Sequence, residues 1–127
     1  MIQINTKKYH NYSTKVTWEK FEVIHDGQKL KGLAPFISFN IEDVIFIGLE
    51  LILSQEMIES MKLNSQTNIK SYLTDILYED SRGWISLITD EYDCTIVRLD
   101  ERKFKIHFIV TSEIENIDIM IDTQVEF

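Results

Sequence analysis

The chain has 127 residues, 44% of them hydrophobic, with four glycines and one proline, the composition of one ordered globular domain over residues 1–127 and not of a tail or linker. Its formal net charge of −8 makes most of the surface repel nucleic acid and anionic membrane, so neither is expected as a partner, while a basic protein would be attracted. The single Cys94 leaves no internal disulfide and no paired-thiol zinc or redox motif, which fits a reducing cytoplasm and a plain role as a small buried hydrophobe.

The charge is unevenly spread. Residues 1–35 carry six lysines against Glu19, Glu22 and Asp26, a balance of +3, which leaves −11 for the rest of the chain. The start, MIQINTKKYHNYSTK, has no apolar run of signal-peptide length. The longest apolar stretch, 44–53, is interrupted by Glu50 and is too short to span a bilayer.

In the first third, 21–24 and 28–30 flank His25, Asp26 and Gly27, and Asp-Gly supplies the positive φ of a tight hairpin turn. The apolar phase slips between Trp18 and Phe21, which predicts a bulge or an irregular strand start. Over 41–53 two readings compete. The β-branched and aromatic run Val44, Ile45, Phe46, Ile47, with Gly48 behind it, favours a buried strand through Leu53, after which Ser54 caps a short helix over 55–61. The alternative takes Asn40 as N-cap of one long helix, with Glu42 and Asp43 in its first turn.

Ile69, Tyr72, Leu73, Ile76 and Leu77 fall at i, i+3, i+4, i+7 and i+8, which predicts an amphipathic helix lying across a sheet and ending before Gly83. From Trp84 onward four strands are expected, over 84–89, 94–99, 104–110 and 117–127. Closing the turn at Asp100 pairs Leu99 with Phe104, Val97 with Ile106 and Thr95 with Phe108; closing the next loop with Val110 opposite Ile117 pairs Phe108 with Ile119. Phe104, Ile106, Phe108, Ile117, Ile119 and Ile121 then share one apolar face. The opposite face carries Arg98, Lys105, Asp118, Asp122 and Glu126 and is wet. The expected fold is therefore α+β: an antiparallel sheet with a four-strand C-terminal meander packed against one or two helices.

No nucleotide-binding glycine motif, metalloprotease motif, nucleophile elbow or metal-ligand spacing occurs, so no catalytic residue, metal or cofactor is expected. His10, His25 and His107 lie in a polar segment, a turn and a wet strand face, and His107 is expected opposite Ile96 and Met120. Alternate turns of a meander emerge at one end of the sheet. Asp90, Glu91, Tyr92 and Asp93 therefore gather with Glu113, Ile114 and Glu115 at that end, as a partner-binding surface in which carboxylates surround Tyr92 and Ile114. The Asp118, Asp122 and Glu126 face is the second choice.

Small size, acidity, the α+β meander, a lone Cys94 and the absence of an active-site motif together resemble the immunity proteins that neutralise bacterial toxins, those of contact-dependent growth inhibition included. The resemblance implies a non-enzymatic cytoplasmic protein that binds a cognate basic toxin domain, often a nuclease, and occludes its active site. The alternative is a small-molecule-binding or enzymatic α+β domain with a pocket between sheet and helix, lined by Tyr72, Tyr78 or His107.

Overall fold

The computed structural model describes residues 1–127, apart from the side chains of His25 and Leu30. Its elements are β1 (Ile2–Ile4), β2 (Lys7–Tyr9), β3 (Tyr12–His25), β4 (Gln28–Ile41), β5 (Ile45–Leu51), α1 (Gln55–Glu59), β6 (Gln66–Asn68), a 3₁₀ turn (Lys70–Tyr72), β7 (Leu73–Asp80), β8 (Gly83–Ser86), β9 (Glu91–Arg98), β10 (Lys103–Ser112) and β11 (Ile117–Glu126). The strands form two antiparallel sheets, ordered β2-β1-β11-β10-β9-β6 and β3-β4-β5-β7-β8. One apolar core draws on both, from Ile37, Phe39, Ile47 and Leu49 of the second sheet to Phe104, Phe108, Ile119 and Ile121 of the first. The α+β expectation is thus overturned: what covers the C-terminal sheet is a second sheet, not a helix. No helix among the described residues is long and apolar enough to cross a membrane.

The expected helix over 69–77 is strand β7, preceded by the 3₁₀ turn. Two local features counterfeit helical spacing. Glu50 pairs with Asp75 but Leu51 pairs with Leu73, so Thr74 is an extra residue that breaks the two-residue alternation and returns Leu73 to the core beside Ile76 and Tyr78. The 3₁₀ turn then sets Ile69 four residues earlier, where its N–H donates to Cys94 O at 2.9 Å.

The four-strand meander is also corrected. Trp84 belongs to β8, which folds back on β7 through the Asp80–Gly83 turn and so joins the second sheet. The meander is β9-β10-β11, flanked by β6 and β1. Its middle strand alternates buried and exposed along its whole length, as a strand with one core face must. Both turns close differently from expectation. Phe104 faces Arg98, Ile106 faces Ile96 and Phe108 faces Cys94, a slip of one residue that puts Cys94 and Ile96, not Thr95 and Val97, inside. Ser112 faces Ile117, Val110 faces Ile119 and Phe108 faces Ile121, a slip of two that preserves the face. The six residues from Phe104 to Ile121 assigned to one apolar face are therefore all buried. Asp100 explains the first slip: its Oδ1 accepts the N–H groups of Arg102 and Lys103 at 2.9 and 2.7 Å, opening the turn by a residue.

The strand reading of 44–53 holds over Ile45–Leu51, Ile52 and Leu53 lying beyond the strand's end, and Asn40 sits in β4 opposite Phe46 instead of capping a helix. Glu42 and Asp43 take positive φ (52° and 57°) in the turn that joins β4 to β5. Ser54 caps α1, accepting the Met57 N–H at 3.2 Å. The Asp26-Gly27 hairpin is present, but its strands run 14 residues each. Their register is continuous through Trp18, Glu19, Lys20 and Phe21, so no bulge occurs there; what changes is the face that is apolar. Val16 and Trp18 pack on the core, whereas Phe21 and Val23 lie on the other side of the ribbon. Only Phe36 to Ile41 of β4 pair with β5. The ends of β3 and β4 beyond Pro35, which has no N–H to donate, project as a two-stranded arm.

Phe108, fully buried between Cys94 and Ile121, should cost about 3–5 kcal/mol when truncated to Ala, as aromatic truncations in cores do. Denaturant titration reads this directly, and a loss under about 1 kcal/mol would contradict its assigned place.

Candidate functional site

Strand register determines what stands at the proposed acidic end. Glu91 begins β9 opposite Thr111, and the β10–β11 turn starts two residues later, so the two segments share an end of the sheet. The segment before Glu91 is not a meander turn: it crosses from β8 in one sheet to β9 in the other, with Asp90 N–H donating to Leu87 O at 3.1 Å. The second segment is a braced tip. Ser112 is buried and its Oγ accepts the Glu115 N–H at 3.2 Å, while Asn116 adopts φ 54° and donates its N–H to Glu113 O at 3.3 Å. Ile114 stands 90% exposed at the apex, between the exposed Glu113 and Glu115.

The six residues assigned to the site divide accordingly. Glu91, Glu113 and Glu115 are exposed at one end, with Asp90 half-buried beside them. Asp93 has structural work, since its Oδ1 accepts from Asn68 Nδ2 at 3.0 Å and from the Cys94 N–H at 2.9 Å. Tyr92 turns the other way, towards the inner side with Cys94 and Ile96, where it packs against the core and the Lys70 ammonium lies 5.5 Å from its ring centroid. The apolar group displayed among the carboxylates is therefore Ile114.

The Asp118, Asp122 and Glu126 face is interleaved with cations: Glu126 faces Lys103, and Lys105 Nζ lies 3.6 Å from Asp122 Oδ1. His107 stands between Thr95 and Asp122, not opposite Ile96 and Met120 as expected.

Among the described residues no three His, Cys, Asp or Glu side chains are grouped to hold a metal ion. Tyr78, Asp80 and Arg82 form a closed set. The Tyr78 hydroxyl donates to Asp80 Oδ2 at 3.0 Å, and Arg82 donates to the same carboxylate through Nε and, at 2.7 Å, through Nη2. Burial, then the bond to Asp80, pushes Tyr78 up to about 12, and the Arg82 hydrogen bonds hold Asp80 down at about 2. Neither group exchanges a proton near neutrality, which general acid–base work requires.

The pocket of the alternative reading does not form around the residues named for it: His107 lines a shallow groove of about 240 Å³ on the outer face of the first sheet, with Gln66, Thr95, Lys105 and Asp122. Larger open grooves flank α1. One, of about 630 Å³, runs between the arm and α1 and is walled by Phe21, Leu33, Ile52 and Met57 with Lys31 and Glu56. The other, of about 680 Å³, holds Trp18, Arg98, Glu101, Arg102 and Phe127. Tyr72, Tyr78 and His107 line neither. No family model, no curated protein and no solved structure matches the chain.

Burial, with the neighbouring Asp93 charge second, pushes the Cys94 thiol up to about 12. The native thiol should therefore react with an aromatic disulfide reagent at pH 8 on the order of a hundredfold more slowly than in denaturant. The folded chain keeps Cys94 and Tyr78 protonated where the unfolded chain, with ordinary values of 9.0 and 10.0, releases both protons. Stability should then be full below about pH 9 and fall as pH rises towards 12, a slope that Tyr78→Phe should reduce.

Proposed function

We propose that the chain is a non-enzymatic binding protein that neutralises a cognate toxin domain, a basic nuclease, by occluding its active site. The observation that carries the proposal is the braced tip of Glu113, Ile114 and Glu115, which with Glu91 presents a preformed acidic surface around an exposed aliphatic side chain. An anchor held in place before binding avoids the ordering cost of a loose loop. The surrounding carboxylates steer a cationic partner and set the on-rate. A nuclease groove that accepts phosphates is a fitting target, since carboxylates would occupy the positions that phosphates take. The −11 balance outside residues 1–35 supports the same reading, and the proposal places the protein in the cytoplasm of the cell that makes the toxin.

The test is co-expression with the product of the adjacent gene, recovery of the complex and kinetics on variants. Reversal of Glu91, Glu113 and Glu115 to Lys should slow association and blunt its salt dependence. Ile114→Ala should speed dissociation by about tenfold, the effect of losing roughly 1.4 kcal/mol of desolvated contact. Unchanged rates in all these variants would remove the acidic end from the interface. Failure to bind the neighbouring product, together with turnover of a small molecule, would reject the neutralising role.

A further inference from the structure

The outer face of the second sheet carries a floor of two half-buried phenylalanines and one exposed tryptophan, with acids set into it. Register places three rows side by side: Trp84, Glu79 and Phe46 in the first, Ser86, Leu77 and Gly48 in the second, Asp75, Glu50 and Phe36 in the third. Trp84 is 69% exposed, and Val44, at the adjoining β4–β5 turn, is 64% exposed. The Phe36 and Phe46 rings stack across Gly48, with centroids 6.4 Å apart and planes 21° apart. Glycine is required between them, because a Cβ at position 48 would meet Phe36 Cζ at 2.6 Å. A flat floor with an exposed tryptophan at its edge is the composition of an interface core, not of free surface.

The acids select the occupant. Glu50 and Asp75 stand directly opposite each other on neighbouring strands, a like-charge pairing that destabilises a sheet. Each is aimed by a hydroxyl: Thr74 Oγ1 donates to Glu50 Oε1 at 2.9 Å, and Ser86 Oγ donates to Asp75 Oδ1 at 2.5 Å. Glu79 lies between Trp84 and Phe46. These positions contain no Lys or Arg; the second row reaches a cation, Lys15, only on β3, beyond Ser38 and at the far side from Trp84, and the nearby Arg82 is committed to Asp80. A second copy docked through this same face would set acids against acids, nucleic acid and anionic membrane would be repelled, and a neutral apolar partner would bury the carboxylates without a counter-charge.

We infer that this face docks a cationic protein surface through arginine. A planar guanidinium stacks on an aromatic ring while its fork pairs with a carboxylate, which a lysine ammonium does less well. The inference does not rest on the toxin reading, since its residues lie on the other sheet from Glu91, Glu113 and Glu115 and are tested separately.

The probe is a nona-arginine peptide, with nona-lysine as the control, titrated into the isotope-labelled chain and followed by amide and indole shifts. The expected result is binding that shifts Trp84, Phe46, Gly48 and Glu79, with nona-arginine about fivefold tighter than nona-lysine. Trp84→Ala and Glu79→Gln should each weaken nona-arginine about fivefold, while Glu113→Gln with Glu115→Gln leaves those shifts in place. No binding, shifts confined to Glu91, Glu113 and Glu115, or equal affinity for wild type and Trp84→Ala would overturn the inference. Trp84 and Glu79 are exposed, so both variants should keep the fold, and unchanged denaturation midpoints verify that.

Discussion

The guanidinium of Arg98 is the constraint on which the first sheet depends. It turns inward at the end of β9, 5.9 Å from the Phe104 ring centroid, and donates to four main-chain carbonyls: Glu59 and Met61 at the exit of α1, Asp100 and Glu101 in the β9–β10 turn. A lysine has neither the geometry nor the number of donors to hold two segments at once. With Arg98 inside, Ile96 and Cys94 must also be inside and Asp93 and Glu91 outside, because side chains alternate along the strand. The same side chain supplies donors to α1's last carbonyls, so the fold's one α-helix is tied to the sheet it does not belong to.

Where the sequence was legible, one local rule was enough. The alternation of β10, the apolar run of β5, the Ser54 cap and the Asp26-Gly27 turn each specify their structure within a few residues. Misreadings arose where a distant partner decided. Ile69, Leu73 and Ile76 satisfy a helical stripe on paper; the bulge at Thr74 and the turn before it become visible only with β5 alongside. Trp84 could begin a meander or close a hairpin, and the local Asp80–Arg82 bonds, absent from any periodicity, choose the hairpin. The acidic end was readable because it needs only the fact that Glu91 and Glu113 lie at one end. The orientation of Tyr92 was not, since a one-residue slip turns it to the opposite face.

The carboxylates fall into two sets with different physical roles. Asp80, Asp93 and Asp100 are bound to donors within their own turns or neighbouring strands, and the N–H groups of Lys103 and Arg102 hold Asp100 below the usual carboxylate range. These acids belong to the fold. Glu91, Glu113 and Glu115 stand exposed at one end of the first sheet, where like charge repels and lowers stability without shaping any turn. Surface repulsion of this kind is relieved when opposite charge arrives from outside, so a cationic ligand bound at such a cluster would raise the stability of the chain.

The pairing of β1 with β11 sets Ile2 beside Ile121 and Ile4 beside Ile119. Contacts at so large a separation along the chain require an extensive loop to close before they repay its entropy. The first sheet therefore acquires its β1–β2 flank only when the C-terminal strand is in place, and until β1 pairs with it β11 presents an unpaired edge. Folding should accordingly be slow for the chain's size, on a scale of milliseconds to seconds. The vulnerable species during that interval is one with an open apolar strand edge, a template for strand exchange between chains at high concentration.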